Sequence, residues 1–488
     1  MSPLLPAALV ALTLLVYPVA ADAAEGPFLH EQMLRDHDGF EPLQGEDVAF
    51  PTAEQLANRA RGKSAIVMGY LPYWVSADNL PWEYLDVVAW FSAEMAADGS
   101  LGNTHGWGGS GSDAVIEAAH AAGAIVVLST TRFGGANLSQ LLGDPAARSN
   151  AISNLVAAMI DGGGDGIDVD FEGLDVENRD DLVDFIIQLR AAMDVAQPGS
   201  HLSLATPVVD WDGSYDFDVL AENSDLLFIM GYAFAGSWSS PRPNAPLAAS
   251  GQWGSHSLQW SAQDYIEWGG IENASGIVMG LPLYGNQWRS SSGDIGADAT
   301  EHLGSIFYST CVERFAEHGR NWDSDSSTPW AAWQEGSVWR QMWCEDDISI
   351  AMKAQMALDE GLGGFGFWAL NYDDGDELLW QAIDGVLSGS PPGDDDDSAG
   401  DDDDSAGDDD DSAGDNDDSA GDNDDAATDG SGSGQRTGTG CGACSGCDAT
   451  GETTAFHSKV PIAALLILLG ILRRRYEPIP QRQRREQR

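Results

Sequence analysis

The chain has 488 residues, and 78 acidic against 23 basic side chains give it a formal charge of −55. That balance excludes nucleic-acid binding, which needs basic surface to meet phosphates. Residues 391–488 hold only 23 of the acids, against 9 bases, so most of the excess lies in front of them, on a stretch that also carries all 17 tryptophans; such a surface suits solubility where salt screens self-repulsion.

In chain order, residues 1–23 read as a secretory signal peptide, with an apolar stretch from Leu9 to Val19 and a small-x-small cleavage site at Ala21-Asp22-Ala23. Residues 24–61 form a lead-in segment. Short apolar runs then recur at Ile66–Tyr70, Val87–Phe91, Ala124–Leu128, Gly166–Phe171, Leu202–Ala205, Leu226–Met230, Ile277–Leu281 and Gly363–Trp368. Between them, Ala146–Ile160, Asp180–Val195 and Ile348–Glu360 have helical apolar spacing. The runs are near-continuous rather than alternating, as parallel strands buried on both faces require. Eight of them separated by helical stretches predict an α/β fold, a (β/α)8 TIM barrel over residues 62–388, with a doubly wound open sheet as the rival. The surplus length falls between the seventh and eighth strands. There Asn286–Met342, rich in Ser, Gly, Asp and Trp, is expected to wall one side of a cleft. Cys311 and Cys344 could pair in an oxidising compartment, but sequence does not give their separation.

The tail divides into four parts. Residues 389–440 are an Asp-rich repeat linker, whose heptad begins at Asp394 and recurs to Asp425. It has no apolar residues to bury, so disorder is expected, and its spacing is not that of a calcium loop. Residues 441–447 hold Cys441, Cys444 and Cys447, one ligand short of a zinc site. Residues 460–472 form an apolar segment whose helix would span roughly 20 Å, short of the ~30 Å hydrocarbon core. Residues 473–488 are a basic tail, expected to stay cytoplasmic.

The chemistry concentrates in Asp165-Gly166-Ile167-Asp168-Val169-Asp170-Phe171-Glu172. Residues two apart on a strand share a face, so Asp168, Asp170 and Glu172 project together while Ile167, Val169 and Phe171 face the other way. Three carboxylates on one face of a buried strand are costly, and folding gives no reason to keep them. Repulsion and burial should hold at least one proton among them, the property a general acid near neutrality needs. Glu172, at the C-terminal rim of its strand, is the candidate proton donor. Asp170, one pleat deeper, can share a proton with Asp168. No Walker loop or dinucleotide-binding glycine pattern is present, so neither cofactor nor metal is expected.

Asp165–Glu172 resembles the D-G-x-D-x-D-x-E motif of glycoside hydrolase family 18. The likeness extends over roughly residues 62–388 through Gly69-Tyr70, Met230-Gly231-Tyr232, Gly280-Leu281-Pro282-Leu283-Tyr284-Gly285 and Gly366-Phe367-Trp368-Ala369-Leu370. The resemblance implies a (β/α)8 barrel cleaving β-1,4 bonds beside N-acetylglucosamine by a retaining, substrate-assisted mechanism, an exception to the two-carboxylate scheme. It implies catalytic roles for Glu172, Asp170, Asp168 and Tyr232. Trp368, Tyr70, Tyr284 and Met230 would bind sugar, Trp368 as the floor beneath the reacting residue. The partner would be a polysaccharide containing N-acetylglucosamine, met by a monomer; a non-catalytic carbohydrate-binding barrel is the alternative. One position departs from the family pattern: Ala233 stands where an acid usually follows the tyrosine. The departure implies lower activity, a different substrate or pH optimum, or compensation from Asp210 or Asp212 after the fifth strand. Finally, Cys441–Arg475 resembles myxobacterial C-terminal sorting signals, which implies attachment at the cell surface or membrane, with the acidic linker as spacer.

Overall fold

The computed structural model describes residues 28–59, 62–267 and 274–389. The chain divides after Asp401, and every described residue lies in the first unit. The signal peptide, most of the acidic linker, the cysteine cluster, the apolar segment and the basic tail fall outside the described residues. Among the described residues no helix is long and apolar enough to cross a membrane.

The elements run α1 Leu29–Asp36, α2 Ala53–Arg59, β1 Ile66–Pro72, β2 Val87–Glu94, α3 Ser110–Ala122, β3 Ile125–Phe133, α4 Gly135–Leu142, α5 Pro145–Asp161, β4 Gly166–Glu172, α6 Arg179–Ala196, β5 His201–Pro207, α7 Phe217–Glu222, β6 Leu226–Met230, α8 Leu258–Glu267 and β7 Ile277–Pro282. There follow β8 Tyr284–Ser290, β9 Ala299–Phe307, α9 Tyr308–His318, β10 Asn321–Asp323, β11 Thr328–Glu335, β12 Val338–Trp343, α10 Asp347–Asp359, β13 Gly364–Trp368 and α11 Glu377–Leu387. Strands β1 to β7 and β13 close a parallel barrel in the order β1-β13-β7-β6-β5-β4-β3-β2, the architecture that the eight apolar runs predict.

Local chemistry fixes the helices between them. Asp144 caps α5 by accepting from the Ala146 N–H, with Pro145 at the first helical position. Asp346 and Ser349 form a reciprocal capping box at the start of α10. Helix α6 buries Leu182, Phe185, Ile186, Leu189 and Met193 at three- and four-residue spacing. Each such side chain contributes about 1.5–3 kcal/mol on burial. Phe185 meets Phe171 of β4 at 5.6 Å, so the outward face of the carboxylate strand packs on this helix.

The insertion between the seventh and last barrel strands is an antiparallel sheet, β10-β11-β12-β8-β9, carrying α9. Cys311 of α9 and Cys344 beyond β12 are disulfide-bonded with Cα atoms 6.2 Å apart. Trp288 and Trp343 of this sheet pack on Ala235 and Trp253, and Trp253 Nε1 donates to Asp323 at 2.7 Å. The sheet therefore braces the long connection after β6. The wall expected from Asn286–Met342 stands one layer back, and the cleft face itself comes from that connection.

Candidate active site

The pleat of β4 lifts Asp168, Asp170 and Glu172 along the barrel interior towards its C-terminal rim. Asp168 and Asp170 are fully buried, and Glu172 is 8% exposed. Parallel register places Ser129 of β3 and Ser203 of β5 level with Asp168 on either side. Their hydroxyls donate to its two oxygens at 2.9 and 2.7 Å. Burial nevertheless dominates and pushes the Asp168 carboxyl up to about 6, with the neighbouring Asp170 charge adding to the rise. Asp165, the first acid of the motif, sits at the opposite end and accepts from the Val126 N–H at 2.8 Å. Its part is to tie β4 to β3.

The other predicted residues gather round this row. Tyr70 of β1 is fully buried, and burial together with Asp168 and Asp170 holds its phenol well above the ordinary range. Tyr232, just beyond β6, lies 6.0 Å edge-on from Tyr284 at the start of β8. Trp368 ends β13, with the Phe91 ring edge-on at 4.7 Å and the Tyr70 ring tilted at 5.5 Å. All eight predicted site residues thus converge on one end of the barrel.

What occupies the centre is a residue the motifs do not indicate. His30 of α1 is fully buried with its ring stacked on Trp368 at 3.7 Å between centroids. Its Nδ1 donates to Asp170 Oδ2 at 2.8 Å and lies 3.1 Å from Glu172 Oε1. Its Nε2 lies 3.1 Å from the Tyr232 hydroxyl. Burial opposes a charge on the imidazole, but Asp170 and Glu172 outweigh it and raise the group to about 10. Asp170 is itself raised to about 6 by burial and by Glu172, against the downward pull of His30. Met33, one turn on, brings its sulfur 3.1 Å from Trp368 Nε1. The only sequence signal for this was the helical i, i+3, i+4 placement of His30, Met33 and Leu34.

Two cavities flank α1. The larger, about 640 Å³, is lined by Phe28, Leu29 and His30 on one side and by Glu172, Met230, Tyr232 and Ala233 on the other, with Trp211 and Trp238 near its mouth. These two tryptophans are 72% and 61% exposed. The smaller, about 390 Å³, is lined by Glu31, Leu34, Arg35 and Asp38 opposite Glu94, His105 and Arg132. Trp368, Tyr70 and Tyr284 line neither cavity.

Asp210 does not take the place of the acid missing at Ala233. Its carboxylate accepts from the Ser214 and Tyr215 N–H groups at 2.9 and 3.0 Å, and so braces its own loop. Asp212 is exposed. The braced loop positions Tyr215, whose hydroxyl donates to the Phe171 carbonyl at 2.8 Å behind Glu172. Ala233 has φ 64°, in the left-handed region where a side chain is strained.

One group among the described residues has metal-ligating geometry: His30, Asp170 and Glu172, with ligand atoms all within 4.8 Å of one another. The three are already joined by hydrogen-bond-length contacts, His30 Nδ1 lying 2.8 Å from Asp170 Oδ2 and 3.1 Å from Glu172 Oε1.

Residues 66–373, from β1 to just past β13, match the family described as Glycosyl hydrolases family 18. The chain belongs to that family. The match begins after α1 and α2, so the helix carrying His30 lies outside it. A probable endochitinase of Caenorhabditis elegans is 29% identical over 271 residues, 50% of this chain and 42% of its own. A putative sporulation-specific glycosylase, YdhD, of Bacillus subtilis is 26% identical over 257 residues, 50% of this chain and 56% of its own. The chain thus spans about half the length of these curated relatives. Among solved structures, the family 18 chitinase of Cycas revoluta in complex with (GlcNAc)3 superposes with a TM-score of 0.58 at 21% identity. That likeness covers 67% of this chain and 99% of the other, and establishes the shared fold.

Proposed function

We propose that this family 18 barrel hydrolyses β-1,4 bonds beside N-acetylglucosamine in a chitin-like polymer, with retention of configuration. The observation that carries the reading is the row Asp168–Asp170–Glu172, graded from full burial to the rim, with Tyr232 and the Trp368 ring beside it. Glu172, the member of the row open to the larger cavity, protonates the glycosidic oxygen. The acetamido oxygen of the substrate attacks the anomeric carbon, and the bond to the leaving group breaks to give an oxazolinium ion. Asp170 accepts the acetamido N–H and balances the developing charge, while the Tyr232 hydroxyl donates to the acetamido oxygen. Glu172 then takes a proton from water as that water opens the ring at the anomeric carbon. With α1 in place the Asp168 and Asp170 carboxyls are both held up to about 6, so either can carry a proton near neutrality as Asp170 turns between partners.

The similarity to a probable endochitinase and to a putative sporulation-specific glycosylase supports the glycoside hydrolase reading, and chitin, peptidoglycan and N-glycans all offer the acetamido group that the mechanism needs. Chitin oligomers, peptidoglycan and a high-mannose glycoprotein should be offered to the protein with and without Glu172→Gln. The comparison is made in the native chain and in a His30→Ala/Met33→Ala background. Cleavage of one substrate class that Glu172→Gln abolishes is the expected outcome. Identical traces on all three substrates in both backgrounds would defeat the hydrolase reading and leave a carbohydrate-binding barrel.

We also propose that the protein is exported through its first 23 residues and held at the cell surface by its C-terminal segment, residues 389–440 serving as spacer.

A further inference from the structure

We propose that α1 is an autoinhibitory plug: the segment ahead of the barrel lays His30 in the place of the reacting sugar and holds the enzyme latent until it is displaced. The inference rests on the hydrolase reading above.

The imidazole makes the contacts that the reading assigns to substrate. Its flat face covers Trp368, where an aromatic floor would meet the apolar face of a sugar. One nitrogen satisfies Asp170 and the other meets Tyr232, the two groups that would hold the acetamido N–H and oxygen. Its position 3.1 Å from Glu172 leaves no room for a glycosidic oxygen there. Sugar and His30 therefore exclude each other. Helix α1 also partitions what would otherwise be one groove, since both cavities have α1 side chains along one wall. A polymer could cross the barrel only with α1 gone.

The segment is fitted to the barrel rather than resting on it. Gly173, at φ 77° directly after Glu172, lies under the Phe28 ring, and a Cβ there would drive into that ring. Gly111 of α3 leaves room in the same way for the Leu43 carbonyl. Leu43 is buried, and its N–H donates to the Tyr73 carbonyl at 3.0 Å. Val48 bridges Ala77 in parallel, with Ala49 N–H donating to Ala77 and Ala77 N–H to Asp47, both at 3.0 Å. The His37 ring lies flat on Trp74 at 4.4 Å. Between α1 and this strap, Asp38, Gly39, Phe40 and Glu41 are exposed. Gly39 has φ 86° and nothing near its missing Cβ. Residues 43–49 thus anchor the segment while 38–41 form an accessible hinge, where α1 can swing out or be cut away.

The test compares the full-length native chain with His30→Ala/Met33→Ala, which removes the two buried side chains of α1. Three quantities are read: kcat/KM on chitin oligomers, affinity for (GlcNAc)3, and amide hydrogen exchange of residues 29–36. The double variant should gain at least tenfold in both kcat/KM and affinity. In the native chain, saturating (GlcNAc)3 should speed exchange in α1 while leaving β4 and β13 protected. Equal rates and affinities in two active proteins would overturn the plug while leaving the hydrolase reading in place. A loss of activity in the variant would do the same, by making His30 a helper of the reaction. If neither protein binds or cleaves any sugar although the variant's α1 exchanges freely, the hydrolase reading falls and the plug falls with it.

Discussion

Replacing Ser203 by alanine removes one of the two hydroxyls holding Asp168, and the cost should depend on pH in a calculable way. The Asp168 carboxyl stands at about 6 in the fold against an ordinary 3.8. Its ionised form is therefore disfavoured in the native state. The resulting penalty is absent below pH 3.8, accrues as pH rises to about 6, and is constant above. A buried hydrogen bond to a charged acceptor contributes about 1.5–3 kcal/mol, so its loss should raise the carboxyl by about one to two further pH units. At pH 5 the carboxyl is protonated in both proteins, and Ser203→Ala costs only the neutral bond, about 1 kcal/mol. At pH 7.5 the native protein has ionised Asp168 and the variant must either ionise it at greater cost or keep its proton. The extra penalty is about 1.4–2 kcal/mol. With an unfolding entropy of about 2.1 cal/mol/K per residue over roughly 350 residues, that is a further 2–3 °C in Tm. Differential scanning calorimetry of both proteins at the two pH values reads it directly. A Tm difference between native and variant that is the same at pH 5 and pH 7.5 would refute the reasoning, because the Ser203 hydroxyl would then not be supporting a charge.

Lys353 of α10 and Glu345 form a fully buried ion pair, with Thr328 taking a second bond from the lysine at 3.1 Å. Lys353→Met should destabilise by about 3–5 kcal/mol in chemical denaturation by leaving Glu345 uncompensated, and Lys353→Met/Glu345→Leu should recover most of that loss. A double variant no more stable than the single one would show that shape, not charge, is at issue. Joining positions 33 apart in sequence, the Cys311–Cys344 bond should contribute about 3–4 kcal/mol by restricting the unfolded chain. Cys311→Ser/Cys344→Ser should lose about that much, and equal denaturation midpoints for the two proteins would contradict it.

The barrel was legible because its strands are buried on both faces and so read as apolar runs. Where a strand turns polar the reading stopped short. Strand β3 runs on to Phe133 through Ser129, Thr130 and Thr131, of which Ser129 and Thr131 stand level with Asp168 and Asp170. The carboxylate row itself was legible from period-two spacing alone. The sheet of residues 284–343 was not, because β9, β11 and β12 are largely half-exposed and mix polar with apolar residues instead of forming continuous apolar runs. Helix α1 was the largest omission. Eight residues make no strong helical pattern, and the partners of His30 lie 140 and 202 positions away, a distance no local spacing reports. Asp210, too, read as a free acid after β5; only the folded loop reveals that its oxygens are taken by backbone N–H groups.

The contact between Met33 and Trp368 spans 335 positions, so the earliest described helix finishes against the last barrel strand. That strand lies between β1 and β7 and closes the ring. Helix α1 therefore lacks the ring it stacks on until the last barrel strand has been synthesised, although Asp170, Glu172 and Tyr232 come earlier. A chain that stalls before residue 364 leaves His30 and Met33 without their contacts to Trp368. A settled α1 is then a mark of completion, and the first moment at which the barrel could act is also the first moment at which it can be stopped.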